Sequence, residues 1–331
     1  MLRNTTSTIH PPLTTCPDKA ALEIIVLLLV SVFGYAGQQV QPPPDIDGPT
    51  IRVDVNLVVL HATVFDRRGR FVPDLREQDF HVYEDGVLQR ITRFEHEDVP
   101  ITAGLVVDHS GSMRRKLPEV SAAVRTFVQS SNPGDQIFVV NFNETVQLGL
   151  PGLTRFTNDP SEVESAVSRA PAGGKTALYD AIVAAFEQLK AGTLEKKVLL
   201  VVSDGGDNAS THTLAQTLKL AEQSSAIIYI LGIFDEEDPD RNAGVLRHLA
   251  NSTGGMAFFP HNLNEVSGIC ERIAREVRNQ YMLAYVPGNP TVRGDYRTIR
   301  VTANAPHHGK LFVRTRTGYR VSGQKPGETA N

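Results

Sequence analysis

The chain has 331 residues, 41% apolar and 21% charged, enough for two folded units with tails and for a core that needs no disulfide staples. Its net charge of −4, with a pI near 6.2, leaves no basic surplus to hold nucleic acid or an acidic lipid surface. The only cysteines are Cys16 and Cys270, too far apart in context to suggest a disulfide framework.

Residues 24–32 (IIVLLLVSV) are apolar, and Phe33-Gly34-Tyr35-Ala36 extend the run. A bilayer span needs about 20 apolar residues, so this run is too short. It fits the apolar core of a secretory signal, with Gly34-Tyr35-Ala36 as a small-x-small cleavage site. The leading segment is long for a signal, carries only Arg3 and Lys19 as basic residues, and sets Glu23 against the run. Residues 1–36 are therefore read as a signal peptide or an uncleaved N-terminal anchor, the one route to a membrane. The protein is expected to be exported: secreted, periplasmic or at the cell surface. Cys16 precedes the run and follows no small residue, so a lipoprotein signal is not expected. If 1–36 is removed, Cys270 remains alone. Residues 37–50 (GQQVQPPPDIDGPT) read as an extended linker.

A β segment over 51–96 comes next. Val53, Val55, Leu57 and Val59 alternate with Arg52, Asp54 and Asn56, as on a half-buried strand. Arg67-Arg68-Gly69-Arg70 reads as a turn. Two further strands, 80–83 and 88–94, join through Glu84-Asp85-Gly86, a hairpin signal.

From 99 to 280 the pattern changes. Fully apolar runs at 103–107, 136–142, 198–202, 226–233 and 256–259 alternate with amphipathic helices at 117–130, 160–169, 177–191, 213–223, 242–251 and 263–280. Strands that are apolar on both faces, separated by helices, predict an α/β fold: a doubly wound, mostly parallel sheet covered on both sides. The stretch 146–150 follows its predecessor after Asn143-Glu144-Thr145 alone and reads as an antiparallel edge strand. Cys270 keeps helical spacing with Leu263, Val266, Ile273 and Val277, so it reads as core.

Alternation without helices returns at 281–286, 296–301 and 310–315. The segment 281–321 is expected to pair with 51–96 into a small antiparallel β unit, a sandwich around the inserted α/β domain. Two separate caps are the alternative. Residues 322–331 read as a frayed tail.

In a doubly wound sheet, ligands bind at the carboxyl ends of the strands where the strand order reverses, commonly between the first and fourth strands. The first strand here runs into Asp108-His109-Ser110-Gly111-Ser112 and the fourth into Ser203-Asp204-Gly205-Gly206-Asp207. The loop Gly173-Gly174-Lys175-Thr176, before a helix, can enter the same crevice. Carboxylates at Asp108 and Asp204 with hydroxyls at Ser110, Ser112 and Thr176 form a hard oxygen donor set. Magnesium takes such ligands at about 2.0–2.1 Å and keeps several waters. A dication with at most two carboxylates nearby stays electrophilic, and a partner's Glu or Asp can complete its shell.

Asp108-x-Ser110-x-Ser112, the loop Thr176 and the strand-end Asp204 together resemble the metal-ion-dependent adhesion site (MIDAS) of the von Willebrand factor type A (vWA) family, over roughly 99–280. The flanking β segments and signal-like start are similar to those of bacterial secreted vWA proteins. The resemblance implies a Rossmann-like fold and metal-dependent protein binding rather than catalysis, with no catalytic residue. Ser110, Ser112 and Thr176 would touch the cation, and Asp108 and Asp204 would bind it directly or through water. Magnesium is the first expectation, with manganese or calcium as alternatives, and the partner is a protein presenting Asp or Glu. Asp207, His109 and Lys175 are rim candidates; His109 stands where small or hydroxyl residues are common. Family members with switchable affinity shift the last helix, here 263–280, on occupation.

Three other readings compete. Gly174-Lys175-Thr176 looks like the end of a phosphate-binding loop, but Arg169 stands where that loop needs glycine and a helix precedes it, so no nucleotide is expected. A magnesium-dependent phosphoryl-transfer hydrolase could use Asp108 as nucleophile with Thr176, Lys175 and Asp204, yet Ser110 replaces the second acid such enzymes usually carry. A metal-free structural vWA scaffold is the third.

Overall fold

The computed structural model describes residues 57–96, 98–204, 206–234, 242–288 and 294–321, all within one of the chain's two units, 54–331. The apolar run at 24–32, its cleavage site, Cys16, the 37–50 linker, residues 51–56 and the 322–331 tail lie outside them.

The first β segment forms β1 (Val58–Phe65), β2 (Phe80–Glu84), β3 (Val87–Gln89) and β4 (Ile91–Glu95). β2 and β3 close through Asp85 (φ 48°) and Gly86 (φ 82°), the left-handed pair that lets a two-residue turn match strand twist. The α/β part then runs β5 (Thr102–Asp108), α1 (Leu117–Gln129), β6 (Gln136–Phe142), β7 (Val146–Leu148), α2 (Pro160–Ser168), α3 (Leu178–Lys190), β8 (Lys197–Ser203), α4 (Leu214–Gln223), β9 (Ile227–Gly232), α5 (Ala243–Ser252), β10 (Ala257–Phe258) and α6 (Val266–Arg278). Four strands finish the chain: β11 (Tyr281–Tyr285), β12 (Tyr296–Ala303), β13 (Phe312–Arg314) and β14 (Gly318–Arg320).

The central sheet has the order β10-β9-β8-β5-β6-β7, parallel except for β7. β5 and β8 are adjacent, and every residue of β5 is buried. That explains its unbroken apolar run: helices cover both faces, so no position faces water. Cys270 lies in this core with its thiol pushed up to about 12 by burial.

The flanking strands form two further sheets, β13-β1-β11-β4 and β14-β12-β2-β3, each drawing strands from both sides of the α/β part. They share a core that includes Leu60, Val64, Val82, Tyr281, Leu283 and Val301. The segment 88–94 is expected as one strand, but the structure divides it at Arg90. β3 pairs with β2 in one sheet, and β4 pairs with β11 in the other. The apolar residues here, Leu88, Ile91 and Phe94, recur every third position, and no Gly or Pro marks the corner where the chain changes sheets, so the sequence carries no signal of the break. β14 was likewise not foreseen.

A polar seam joins these sheets to the α/β part. Arg314 on β13 pairs with Glu276 on α6, whose Oε1 also accepts from Tyr229 Oη at 2.8 Å. Arg316 donates to the carbonyls of Ser224 (3.0 Å) and Glu222 (2.9 Å) at the end of α4. Beside the seam is a cavity of about 220 Å³ lined by His61, Lys196 and Gln280 among others. Desolvation, with Lys196 and Arg316 nearby, pushes the His61 imidazole down to about 3.

His61 therefore stays neutral when folded but protonates near pH 6.5 when unfolded. The unfolded state binds the extra proton between those values, so stability is present above pH 6.5 and is lost as the pH falls toward 3. Between pH 7.5 and 5 the loss is about 2 kcal/mol. Chemical unfolding at several pH values should show this slope, and His61→Gln should reduce it; His96 and His109, whose pKa values burial also lowers, leave a remainder of the same sign.

Candidate metal centre

β5 is apolar until it reaches Asp108, so its first carboxylate appears where the strand leaves the sheet. Asp108 is fully buried. Its Oδ1 accepts from the Ser110 backbone N–H at 2.7 Å, and its Oδ2 accepts from Ser203 Oγ, at the end of β8, at 2.7 Å. Burial raises its carboxyl to about 6; Asp204 adds to the rise, and the hydrogen bonds from Ser203 and Ser110 oppose it. The Asp108 and Asp204 carboxylates thus share the crevice between β5 and β8, where the strand order reverses.

Ser110 Oγ and Ser112 Oγ lie 3.2 Å apart on alternate residues of the turn after β5. Ser110 is buried and Ser112 is exposed. Two main-chain bonds dock the 173–176 loop on this turn: Gly173 N–H donates to the His109 carbonyl (2.8 Å) and Gly111 N–H to the Gly174 carbonyl (3.2 Å). Gly174 has φ +79°, a left-handed conformation that favours glycine, and a Cβ there would also displace the Glu144 carboxylate, whose Oε2 it would meet at 2.6 Å. Thr176 is buried two residues later. Its N–H donates to Asn208 Oδ1 (2.9 Å) and its carbonyl accepts from Asn208 and Ala209. The loop is thereby tied to the chain that follows Asp204.

The structure brings Asp108, Ser110, Ser112, Asp204 and the Thr176 loop to one end of the sheet. The rim candidates are engaged differently. His109 turns toward β6, with Nε2 3.1 Å from Asn141 Oδ1, and burial lowers its pKa. Asp207 accepts from the Tyr179 N–H (3.2 Å) and from Ser210 Oγ (2.6 Å) at the start of α3, where a carboxylate complements the helix end. Lys175 is exposed, and its N–H donates to Glu144 Oε2 at 3.2 Å.

Sequence reasoning assigned no role to Lys116, which is 5% exposed. Its Nζ donates to the Ile233 carbonyl at 2.9 Å and lies 3.4 Å from Asp204 Oδ2. The signal was available: Lys116 sits three residues after Met113 and four before Val120, both fully buried, and so falls on an inward helical stripe. Arg114 and Arg115, by contrast, are exposed, and Arg114 Nη2 donates to the Ala172 carbonyl at 2.9 Å, across the mouth of the turn.

Among the described residues, no three or more His, Cys, Asp or Glu side chains gather as a possible metal-binding group. The donors present are hydroxyl and carboxylate oxygens, a set suited to a hard cation that keeps part of its water, and unsuited to one that wants thiolate or imidazole.

A family model described as the von Willebrand factor type A domain matches residues 104–272. The comparison with curated proteins finds no match. Among solved structures, a von Willebrand factor type A protein from Catenulispora acidiphila is similar over 75% of this chain and 76% of its own, at 13% identity and a TM-score of 0.49. The conserved hypothetical protein BatB from Bacteroides thetaiotaomicron is similar over 54% of this chain and 98% of its own, at 14% identity and a TM-score of 0.44. Proximal thread matrix protein 1 from the mussel byssus, with a zinc-occupied MIDAS motif, is similar over 59% of this chain and 49% of its own, at 17% identity and a TM-score of 0.48.

Proposed function

The chain belongs to the von Willebrand factor type A domain family, and from that premise we propose that it is an exported, metal-ion-dependent protein-binding module. Asp108, Ser110, Ser112, Thr176 and Asp204 hold a divalent cation, magnesium first, with manganese or calcium as alternatives. The cation supplies an electrophilic position for the carboxylate of a partner's Asp or Glu. The domain at 99–280 is inserted between the β segments 51–96 and 281–321, which support it from the opposite end. The observation that carries the reading is the Ser110–Ser112 hydroxyl pair, 3.2 Å apart beside buried Asp108. Neutral hydroxyls bind a hard cation without cancelling its charge, so the cation keeps its attraction for an outside anion.

The rim supports an acidic partner. Arg114, Arg115 and Lys175 are all exposed around the turn and the docked loop. Charges at an interface rim steer encounter and set salt dependence more than they set final affinity. Replacing Arg114 and Lys175 with glutamine should slow association with an acidic partner several-fold at low salt and flatten the salt dependence, as surface plasmon resonance would record.

A pull-down with the full chain as bait tests the function. Partners retained with magnesium should be lost with chelator and return when the metal is restored. Recovery that is equal with and without chelator contradicts metal-dependent binding.

A further inference from the structure

A cavity of about 220 Å³ lies at the other end of the strands that carry the candidate metal centre. It reaches Pro100, just before β5, and Lys196, just before β8. Asp108 ends the first of these strands and Asp204 follows the second, at the opposite end of the sheet. The sandwich supplies the facing wall through His61 on β1, Glu95 on β4 and Met282 on β11. Val99, Leu194 and Met282 give the lining its apolar surface. A cavity of about 150 Å³ accommodates a benzene-sized molecule, so this one has room for a ring with a substituent.

One polar group in the wall is held ready for a donor that the protein does not supply. Gln280 lines the cavity and is 3% exposed. Its Nε2 donates to Thr63 Oγ1 at 3.2 Å and to Tyr229 Oη at 3.1 Å. Tyr229 gives its own proton to Glu276, so the amide nitrogen must face it, and the orientation of the amide is fixed. Gln280 Oε1 is buried and meets no donor among the described residues. An unpaired buried acceptor is costly, and a donor on a bound molecule would remove that cost.

Charge narrows the class of that molecule. A cation would meet Lys196, which is 4% exposed; burial lowers its pKa to about 8, so it is still protonated at pH 7. An anion would pass Glu95 and Glu195, which share only Arg93, at 2.6 and 3.6 Å. It would also set a negative charge against the Gln280 oxygen. We propose that the cavity binds a small neutral molecule with an apolar body and a hydroxyl or N–H donor, phenol being its plainest form, and that the donor bonds to Gln280 Oε1. The ligand touches the sandwich and the α/β part together, so its binding holds the seam and raises the melting temperature. This site stands or falls independently of the metal centre.

The test uses the full chain as wild type, Gln280→Met and Leu194→Trp. Each is titrated with 4-fluorophenol and 4-fluorotoluene, followed by the fluorine resonance of the ligand. Wild type should bind 4-fluorophenol saturably at millimolar concentration or below. The ratio of phenol to toluene affinity should fall about tenfold or more in Gln280→Met, which loses the acceptor. That variant also releases the Thr63 and Tyr229 hydroxyls, an effect common to both ligands that the ratio cancels. Leu194→Trp fills the cavity from a partly exposed wall and should lose both ligands; it serves if the methionine variant misfolds. 4-Fluorobenzoate and 4-fluorobenzylamine should bind wild type more weakly than 4-fluorophenol does. No saturable binding of 4-fluorophenol by folded wild type would mean that the cavity holds water alone, and overturns the inference. An unchanged ratio in folded Gln280→Met overturns it too, as does unchanged binding by folded Leu194→Trp, which would put the ligand elsewhere. Binding of either charged analogue as tight as that of 4-fluorophenol overturns the neutral class.

Discussion

Replacing Glu276 with alanine should destabilise the protein by about 3–5 kcal/mol, the usual cost of stranding one member of a buried ion pair. Glu276 is fully buried on α6, and its carboxylate faces both Arg314 and the Tyr229 hydroxyl. Removing it leaves the Arg314 guanidinium, whose side chain is 17% exposed, without its counter-charge. The defect would lie where β13 meets α6, so it should loosen the sandwich from the α/β part and weaken cooperativity as well as midpoint. The double replacement Glu276→Met with Arg314→Met should cost much less than the two single changes summed, because a well-packed apolar pair leaves no charge stranded. Urea unfolding of wild type, Glu276→Ala, the two single methionine variants and the double variant measures both quantities. A loss under about 1 kcal/mol for Glu276→Ala would mean that the seam is not a structural tie.

Asp108→Asn should have opposite effects on stability and on binding. Asparagine keeps the shape of the site. Its carbonyl oxygen can still accept from the Ser110 N–H, and its amide can donate to Ser203 Oγ in place of the bond that Asp108 Oδ2 now accepts. What it removes is a buried charge: burial raises the Asp108 carboxyl to about 6, and Asp204 nearby adds to the rise. Without metal, the variant should be more stable than wild type at pH 7.5 by about 1–2 kcal/mol. The sign follows from linkage. A raised folded-state pKa means that folded Asp108 binds a proton between about 4 and 6 that the unfolded chain does not. Wild-type stability therefore falls as the pH rises through that window, and the variant's advantage should shrink below pH 6. With magnesium present the ranking should narrow or reverse, because only wild type gains binding energy. A binding site that costs its own fold stability is a common trade-off. Calorimetric melting of both proteins with chelator at pH 5 and 7.5 checks the first half.

Much of the fold was legible because burial on two faces leaves so plain a mark. β5, β8 and β9 are apolar along nearly their whole length, and the helices between them carry one apolar stripe each. Once that grammar is read, strand order follows from topology, and Asp108 and Asp204 fall at adjacent strand ends. The flanking strands were less legible. The break at Arg90 carries no Gly or Pro to mark it, and β14 is three residues long. In the candidate site, residues close in sequence, such as Asp108, Ser110 and Ser112, could be read as a unit. Direction could not: His109 turns toward Asn141, on the β6 side of β5. Long-range pairing was equally hidden. Nothing local to Lys116 names Asp204, 88 positions on, as its neighbour, and nothing local to Arg314 names Glu276.

The most direct test of the account is calorimetric titration of magnesium into the full chain, beside Asp108→Asn, with millimolar acetate present to supply the missing carboxylate. The account predicts one saturable site in wild type and none in the variant, which should melt at or above the wild-type temperature when metal-free. Equal heats in the two proteins, or no saturable binding by folded wild type, would contradict it.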